Sequence, residues 1–266
     1  MSLRIQTNVE AFDAHRNLVN TENSLAKSMQ RLSSGYRINS AADDAAGMAI
    51  SERLRSQIGG LDQAQRNIQD GVSLVQTAEG SLTQVHAMLQ RIRDLAVEYQ
   101  NGTLSPTDQA AIQSEVNQLS SEIERIGQSA QFNGISLLSG ATTITFQVGA
   151  NNGNQISVTM ISLGQQVNTA SFSLASATGI SQIDAAINAV SAADATFGAV
   201  ENRLQYTLSN ASIYEENLTS SESRIRDVDM ASEMVNFTKL QILQQAGTSM
   251  LSQANQLPSS VLTLLR

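Results

Sequence analysis

Few residues of this chain have the types and spacing that chemistry needs. Asp43 and Asp44 are adjacent carboxylates, which a reaction could use as a general acid and base. They follow Asn39 and Ser40, however, in the order of a helix N-cap with an acid three residues on, so a cap and helix-dipole role is the preferred reading. The two histidines, His15 and His86, lie 71 residues apart inside amphipathic patterns, which is no metal-ligand spacing. Cysteine is absent, which removes thiol nucleophiles, disulfides and thiolate metal sites. The chain carries neither a glycine-rich phosphate loop nor a His-Glu-x-x-His pair. No catalytic, cofactor or metal site is expected, and an enzyme is the disfavoured reading.

The composition points instead to long packed helices. Apolar residues make up 41% of the 266 and aromatics only 4%, with no Trp, so Ala, Leu, Ile and Val must form the core. Small aliphatics suit helices packed side by side, whereas pockets usually have aromatic walls. The net charge of −8 and the scattered arginines offer no footprint for nucleic acid and no polybasic membrane patch. No apolar run approaches the ~18 residues that span a bilayer, so no membrane insertion is expected. The first ten residues lack the basic and apolar regions of a cleaved signal peptide, which by itself suits a cytoplasmic protein.

Heptads then place the elements. Leu61, Ile68, Val75, Leu82, Leu89 and Ala96 recur every seven residues, with Ala64, Gly71, Ala78, Val85, Ile92 and Tyr99 at the companion spacing. They predict a helix over about 58–100, roughly 60 Å long at ~1.5 Å per residue. Asn101-Gly102 stops it. Ser105, Pro106 and Asp108 then read as N-cap, first-turn proline and first-turn acid of a second helix that folds back antiparallel. In that helix Ile112, Val116, Leu119, Ile123 and Ile126 are the apolar positions. Charges vanish over 140–178, where Ile144, Phe146 and Val148 and then Ile156, Val158 and Met160 alternate with polar residues around Asn151 to Asn154. A β-hairpin is predicted there. The heptad resumes with Ile183, Val190, Phe197, Leu204, Ala211, Leu218 and Ile225. The expected fold class is therefore mainly α, a long antiparallel coiled-coil bundle built from both chain ends with a small β-hairpin insertion. The ends are amphipathic as well. Leu18, Leu25 and Leu32 are seven apart, Leu251 and Leu257 belong to a C-terminal stripe, and Val261, Leu262, Leu264 and Leu265 close the chain. On pattern alone two arrangements fit these ends: an ordinary intramolecular helix pair, or helices completed by neighbouring subunits.

Several long segments carry a family resemblance. Residues 32–50 (LSSGYRINSAADDAAGMAI), 69–82 (QDGVSLVQTAEGSL) and 89–97 (LQRIRDLAV) resemble the N-terminal signature of bacterial flagellins. Residues 224–234 (RIRDVDMASEM) and 252–266 (SQANQLPSSVLTLLR) are similar to the family's C-terminal signature, and the matches cover roughly 1–140 and 180–266. A hook–filament junction protein shares the terminal architecture, but the closeness of 32–50 and 252–266 to flagellin disfavours it. With only about 40 residues between the matched halves, the resemblance is to a minimal flagellin without large outer domains.

The resemblance implies a structural subunit of the flagellar filament that polymerises with its own copies for motility. It implies an inner domain of 1–40 with 227–266, joined by a spoke at 35–40 to a rod domain of 41–226. Leu18, Leu25, Leu32, Leu251, Leu257, Val261, Leu262, Leu264 and Leu265 are then polymerisation residues. It also implies export through the flagellar type III channel with no cleaved signal, so that the protein is extracellular. The implied partners are an export chaperone at the C-terminal helix, filament-cap proteins and hook-junction proteins. Finally, 90–97 resembles the patch that animal Toll-like receptors detect, with Arg91, Leu95 and Glu115 as its anchors. Leu95 is off the heptad seam and is expected to face outward or towards a neighbour.

Overall fold

The computed structural model describes residues 7–167, 172, 174 and 179–264, and their side chains apart from those of 166 and 257–264. In chain order the elements are α1 (Val9–Ser34), α2 (Ala45–Tyr99), α3 (Pro106–Ser129), β1 (Gln131–Phe132), β2 (Ile135–Ser136), β3 (Thr143–Gln147), β4 (Gln155–Thr159), α4 (Leu163–Val167), α5 (Gly179–Arg226) and α6 (Met230–Leu264). The protein is mainly α, as its periodicity predicts. Contacts divide it into two units, 57–217 and 1–56 with 218–266, and α2 and α5 contribute residues to both.

The unit 57–217 is a closed bundle. The α2 seam from Leu61 to Ala96 is buried at every apolar heptad position, and Ile183, Val190, Phe197 and Leu204 of α5 are buried with it. The two helices run antiparallel. Gln65 pairs with Glu215, Gln76 Nε2 donates to Glu201 Oε1 at 2.8 Å, and Arg93 Nε donates to Asp184 Oδ1 at 2.7 Å. α3 folds back on α2 as expected, burying Ile112, Val116 and Ile123. Its start is a capping box: the Ser105 hydroxyl and the Asp108 carboxylate each take the other's backbone N–H, and Pro106 opens the helix.

Two sequence expectations are corrected in and near α2. Leu95 does not face outward; it is 2% exposed. Leu74, three turns-of-seven earlier at the same offset, is buried too. α2 meets α5, α3 and the hairpin, where Asn67 Nδ2 donates to the Gln147 carbonyl at 3.1 Å. A helix with three neighbours needs an apolar face wider than a two-position seam. The second correction concerns the start of α2, which is not at Ser40. The helix begins at Ala45, and Asp44 is its cap, accepting the Gly47 N–H at 2.9 Å.

The predicted hairpin is present as β3 paired antiparallel with β4, in the register Ile144↔Val158 and Phe146↔Ile156. Ile156, Val158 and Met160 are buried, so the alternation marks the core face. A second, two-residue hairpin joins β1 and β2, with Asn133 and Gly134 at φ 49° and 79° in the turn. Asn-Gly between Phe132 and Ile135 was the available signal for it.

Phe197 is 1% exposed and Tyr206, nine residues along the same helix, is 78% exposed. Phe197→Ala is expected to destabilise the protein by about 3–5 kcal/mol, and Tyr206→Ala by no more than about 0.5 kcal/mol. Urea unfolding followed by circular dichroism checks this; equal losses would mean that the bundle core is not where the heptad puts it.

Candidate functional site

The unit 1–56 with 218–266 is built differently, and its apolar surface is the feature with functional content. α1 starts at Asn8, whose Oδ1 accepts the Ala11 N–H at 3.1 Å while its Nδ2 donates to the Ala254 carbonyl at 2.7 Å. That side chain caps α1 and ties it to α6. Further along, Leu18 lies so close to Gly247 that a β-carbon there would stand 3.2 Å from Leu18 Cδ1. At the far end Arg31 Nη1 is 3.8 Å from Glu233 Oε2. These three pairs fix an antiparallel two-helix seam. Leu18, Leu25, Leu32 and Leu251 are half-buried along it, and Ser28, Glu233 and Ala254 are buried.

One seam does not use up the apolar surface of these helices. On α1, Val9, Phe12, Val19 and Met29 are exposed, Phe12 at 69%. On α6, Met230, Met234, Val235, Ile242, Leu243 and Met250 are exposed, Val235 at 72%. Met234, Val235, Thr238, Lys239 and Ile242 border a shallow groove of about 420 Å³. Glu233 and Lys239 are the only charged residues among the 35 of α6. Exposed apolar patches of this kind mark association surfaces. Of the remaining residues expected to polymerise, Leu257, Val261, Leu262 and Leu264 belong to α6 but their side chains lie outside the described residues, as does Leu265 entirely.

The segment between α1 and α2 is tightly held. Gly35 ends α1 in the left-handed conformation, φ 75°, and donates its N–H to the Arg31 carbonyl at 2.9 Å. Its own carbonyl accepts the Val228 N–H at 3.0 Å, and the Arg37 N–H donates to the Arg226 carbonyl at 2.7 Å. The Arg226 guanidinium stacks 4.7 Å over the Tyr36 ring and donates to Glu52 Oε1 at 2.8 Å. Asp43 joins this network. Its Oδ1 is 2.6 Å from Lys27 Nζ, and its Oδ2 accepts the N–H groups of Ser40 and Asn39 at 3.1 and 3.2 Å. The Lys27 ammonium, aided by those N–H groups, lowers the Asp43 pKa from 3.8 to about 2. A carboxyl held ionised in this way is a structural anchor, unlike a general acid. Asp43 and Asp44 therefore serve two separate backbone turns. Among the described residues no three His, Cys, Asp or Glu side chains gather as metal ligands. Arg91 and Glu115 are brought together at 2.8 Å on the surface of the other unit, with Leu95 beneath that surface.

Comparison with known proteins decides the family. Residues 5–143 match the model of the bacterial flagellin N-terminal helical region, and residues 180–265 that of the bacterial flagellin C-terminal helical region. The chain belongs to the bacterial flagellin family. It is 48% identical to a flagellin of Halalkalibacterium halodurans over 98% of this chain and 99% of that protein. It is 44% identical to a flagellin of Bacillus subtilis over 99% of this chain and the whole of that one. The crystal structure of Bacillus cereus flagellin aligns with a TM-score of 0.51 at 32% identity, covering 55% of this chain and 88% of that chain. As a flagellin the protein is a structural subunit of the extracellular flagellar filament and not an enzyme. It is a minimal form, since only 144–179 lies between the two matched regions.

The Lys27–Asp43 contact gives a pH dependence with a definite sign. Because folding lowers the Asp43 pKa, its stabilisation is fully present above 3.8 and is lost as pH falls towards 2. Asp43→Asn is expected to lower the melting temperature of the wild type most above pH 4, with the gap closing towards pH 2. A gap that stays constant over pH 6 to 2.5 in calorimetry would show that the charge is not the cause.

Proposed function

We propose that the paired terminal helices are the polymerisation element, forming the inner domain of 1–40 with 227–266, and that 41–226 is the rod around it. The observation that carries this reading is the set of apolar residues that α6 leaves exposed beside its seam with α1, Met230, Met234, Val235, Ile242, Leu243 and Met250. In the filament, copies of the same helices cover the rest. Leu18, Leu25, Leu32 and Leu251 hold the pair together, and Leu257, Val261, Leu262, Leu264 and Leu265 are further polymerisation residues. The chain leaves the cell unfolded through the flagellar type III channel without a cleaved signal. A two-helix unit that buries little surface opens at small cost, which suits that route. Before export a chaperone covers the C-terminal helix, and cap and hook-junction proteins meet the same helices at the filament ends.

A second proposal concerns the rod. The surface presented by Arg91 and Glu115 is a contact patch for an animal Toll-like receptor, with Leu95 supporting it from below. Arginine is a frequent interface hot spot, and the exposed Arg91–Glu115 ion pair itself adds little stability.

Removal of residues 1–35 and 236–266 is expected to leave a folded monomer that neither grows from filament seeds nor binds the export chaperone. The full chain grows long filaments under the same conditions in negative-stain electron microscopy. Growth of the trimmed chain would defeat the reading, and arrest of the full chain at small rings would favour a junction protein. On that trimmed monomer, Arg91→Ala is expected to weaken receptor activation about tenfold, as loss of an interface anchor does. Leu95→Ala should instead lower the unfolding temperature. An unchanged response from the Arg91 variant would remove the patch.

A further inference from the structure

Methionine is concentrated where the apolar surface is uncovered. Met29, Met230, Met234 and Met250 are 54%, 48%, 49% and 65% exposed, and all four belong to the α1–α6 unit. In the other unit Met160 is 1% exposed and Met88 is half-buried. The chain has no Cys and no Trp, so thioethers are its most readily oxidised side chains. Met234 also borders the groove on α6, beside Val235 and Ile242.

From this placement we infer that Met29, Met230, Met234 and Met250 form an oxidant-sensitive switch on assembly: a hydroperoxide converts them to sulfoxides in the free subunit and thereby blocks polymerisation. The thioether sulfur attacks the terminal peroxide oxygen, the S–O bond forms, the O–O bond breaks, and the alcohol, or water where the oxidant is hydrogen peroxide, leaves after proton transfer. Sulfur is oxidised by two electrons and the peroxide is reduced by two. The product is a polar, chiral side chain with a strong acceptor oxygen. On the free subunit that oxygen is hydrated and costs little. Under a neighbouring subunit it loses water beside the exposed Val235, Ile242 and Leu243, where Thr238 and Lys239 are the donors bordering the groove with Met234, and the apolar packing that the thioether made there is lost. Flexible thioethers otherwise suit such a surface, since they adapt to whatever packs on them. Methionine sulfoxide reductases reverse the change, so the switch is reversible. The inference rests on the terminal helices being the polymerisation element.

The test uses the full chain treated with hydrogen peroxide, peptide mass spectrometry to locate the added oxygen, and seeded polymerisation as the readout. Sulfoxide should form at these four positions well before Met160. The critical concentration should rise on the order of tenfold or more, the effect of burying one unpaired polar group at an interface. Treatment with methionine sulfoxide reductases should restore growth. A chain with Met29→Leu, Met230→Leu, Met234→Leu and Met250→Leu should polymerise before and after peroxide alike. Undiminished polymerisation of wild type carrying all four sulfoxides would overturn the inference while leaving the polymerisation role of the helices intact, because the untreated chain grows in the same experiment. Loss of growth in the leucine chain after peroxide, or failure of the reductases to restore wild type, would place the damage elsewhere and overturn it too.

Discussion

A helix that carries large apolar side chains outside its one seam is not satisfied by one partner. α6 carries two charges in 35 residues, and α1 covers a single line of it. Everything unusual about the terminal unit follows from that mismatch. Val235, Ile242, Leu243 and Met250 lie in water because no other element of the described chain reaches them. Burial at ~25 cal/mol per Å² of apolar surface is available only when further helices arrive. α1 is different, for its outer face carries Glu10, Asp13, His15, Arg16 and Glu22 among its apolar residues. The two helices of the pair therefore differ in charge, and α6 exposes more large apolar side chains than α1 does.

The unit 57–217 meets the opposite condition. Ile68, Val75, Leu89, Ile92, Val116, Ile123, Ile183 and Leu204 are all fully enclosed within it. Its stability needs no second subunit. A closed bundle and an open helix pair thus stand side by side in one sequence, and only the second leaves a row of large apolar side chains exposed. The polar pairs between α2 and α5, such as Gln76–Glu201 and Arg93–Asp184, lie at the rim of that closed core and set register more than they add stability.

What was legible in the sequence is what repeats. The seven-residue spacing from Leu61 to Ala96 and from Ile183 to Leu204 identified both long helices and their buried lines, because a heptad records a continuous helix–helix contact. Ser105, Pro106 and Asp108 located the start of α3 because capping is a local hydrogen-bond pattern. Leu95 was misread because a two-position seam describes one partner, and α2 has several. The start of α2 was misplaced because Asn39, Ser40, Asp43 and Asp44 are all competent caps, and only the tertiary contact with Lys27 assigns Asp43 to the turn before the helix. The Asn133-Gly134 hairpin was overlooked since strands of two residues carry no alternation to notice. As for the candidate assembly surface, the leucine spacing pointed to the two helices, but not to which side chains stay uncovered. Exposure depends on where the partner helix stops, and that is not written in either helix alone.

The seam between α1 and α6 is itself poorly optimised. Ser28 Oγ, Arg31 Nε and Glu233 Oε1 are buried without a hydrogen-bond partner among the described residues, and the Arg31–Glu233 pair is long at 3.8 Å. Buried polar atoms left unpaired weaken a helix pair, while a polar layer in an otherwise apolar seam restricts the registers in which two helices can associate. Sliding α1 by one heptad along α6 would separate Arg31 from Glu233, break the Asn8–Ala254 hydrogen bond and remove Leu18 from Gly247. The pair is thus weak but specific in register. A weak pair opens at small cost, and a fixed register fixes the spacing of the residues it leaves uncovered.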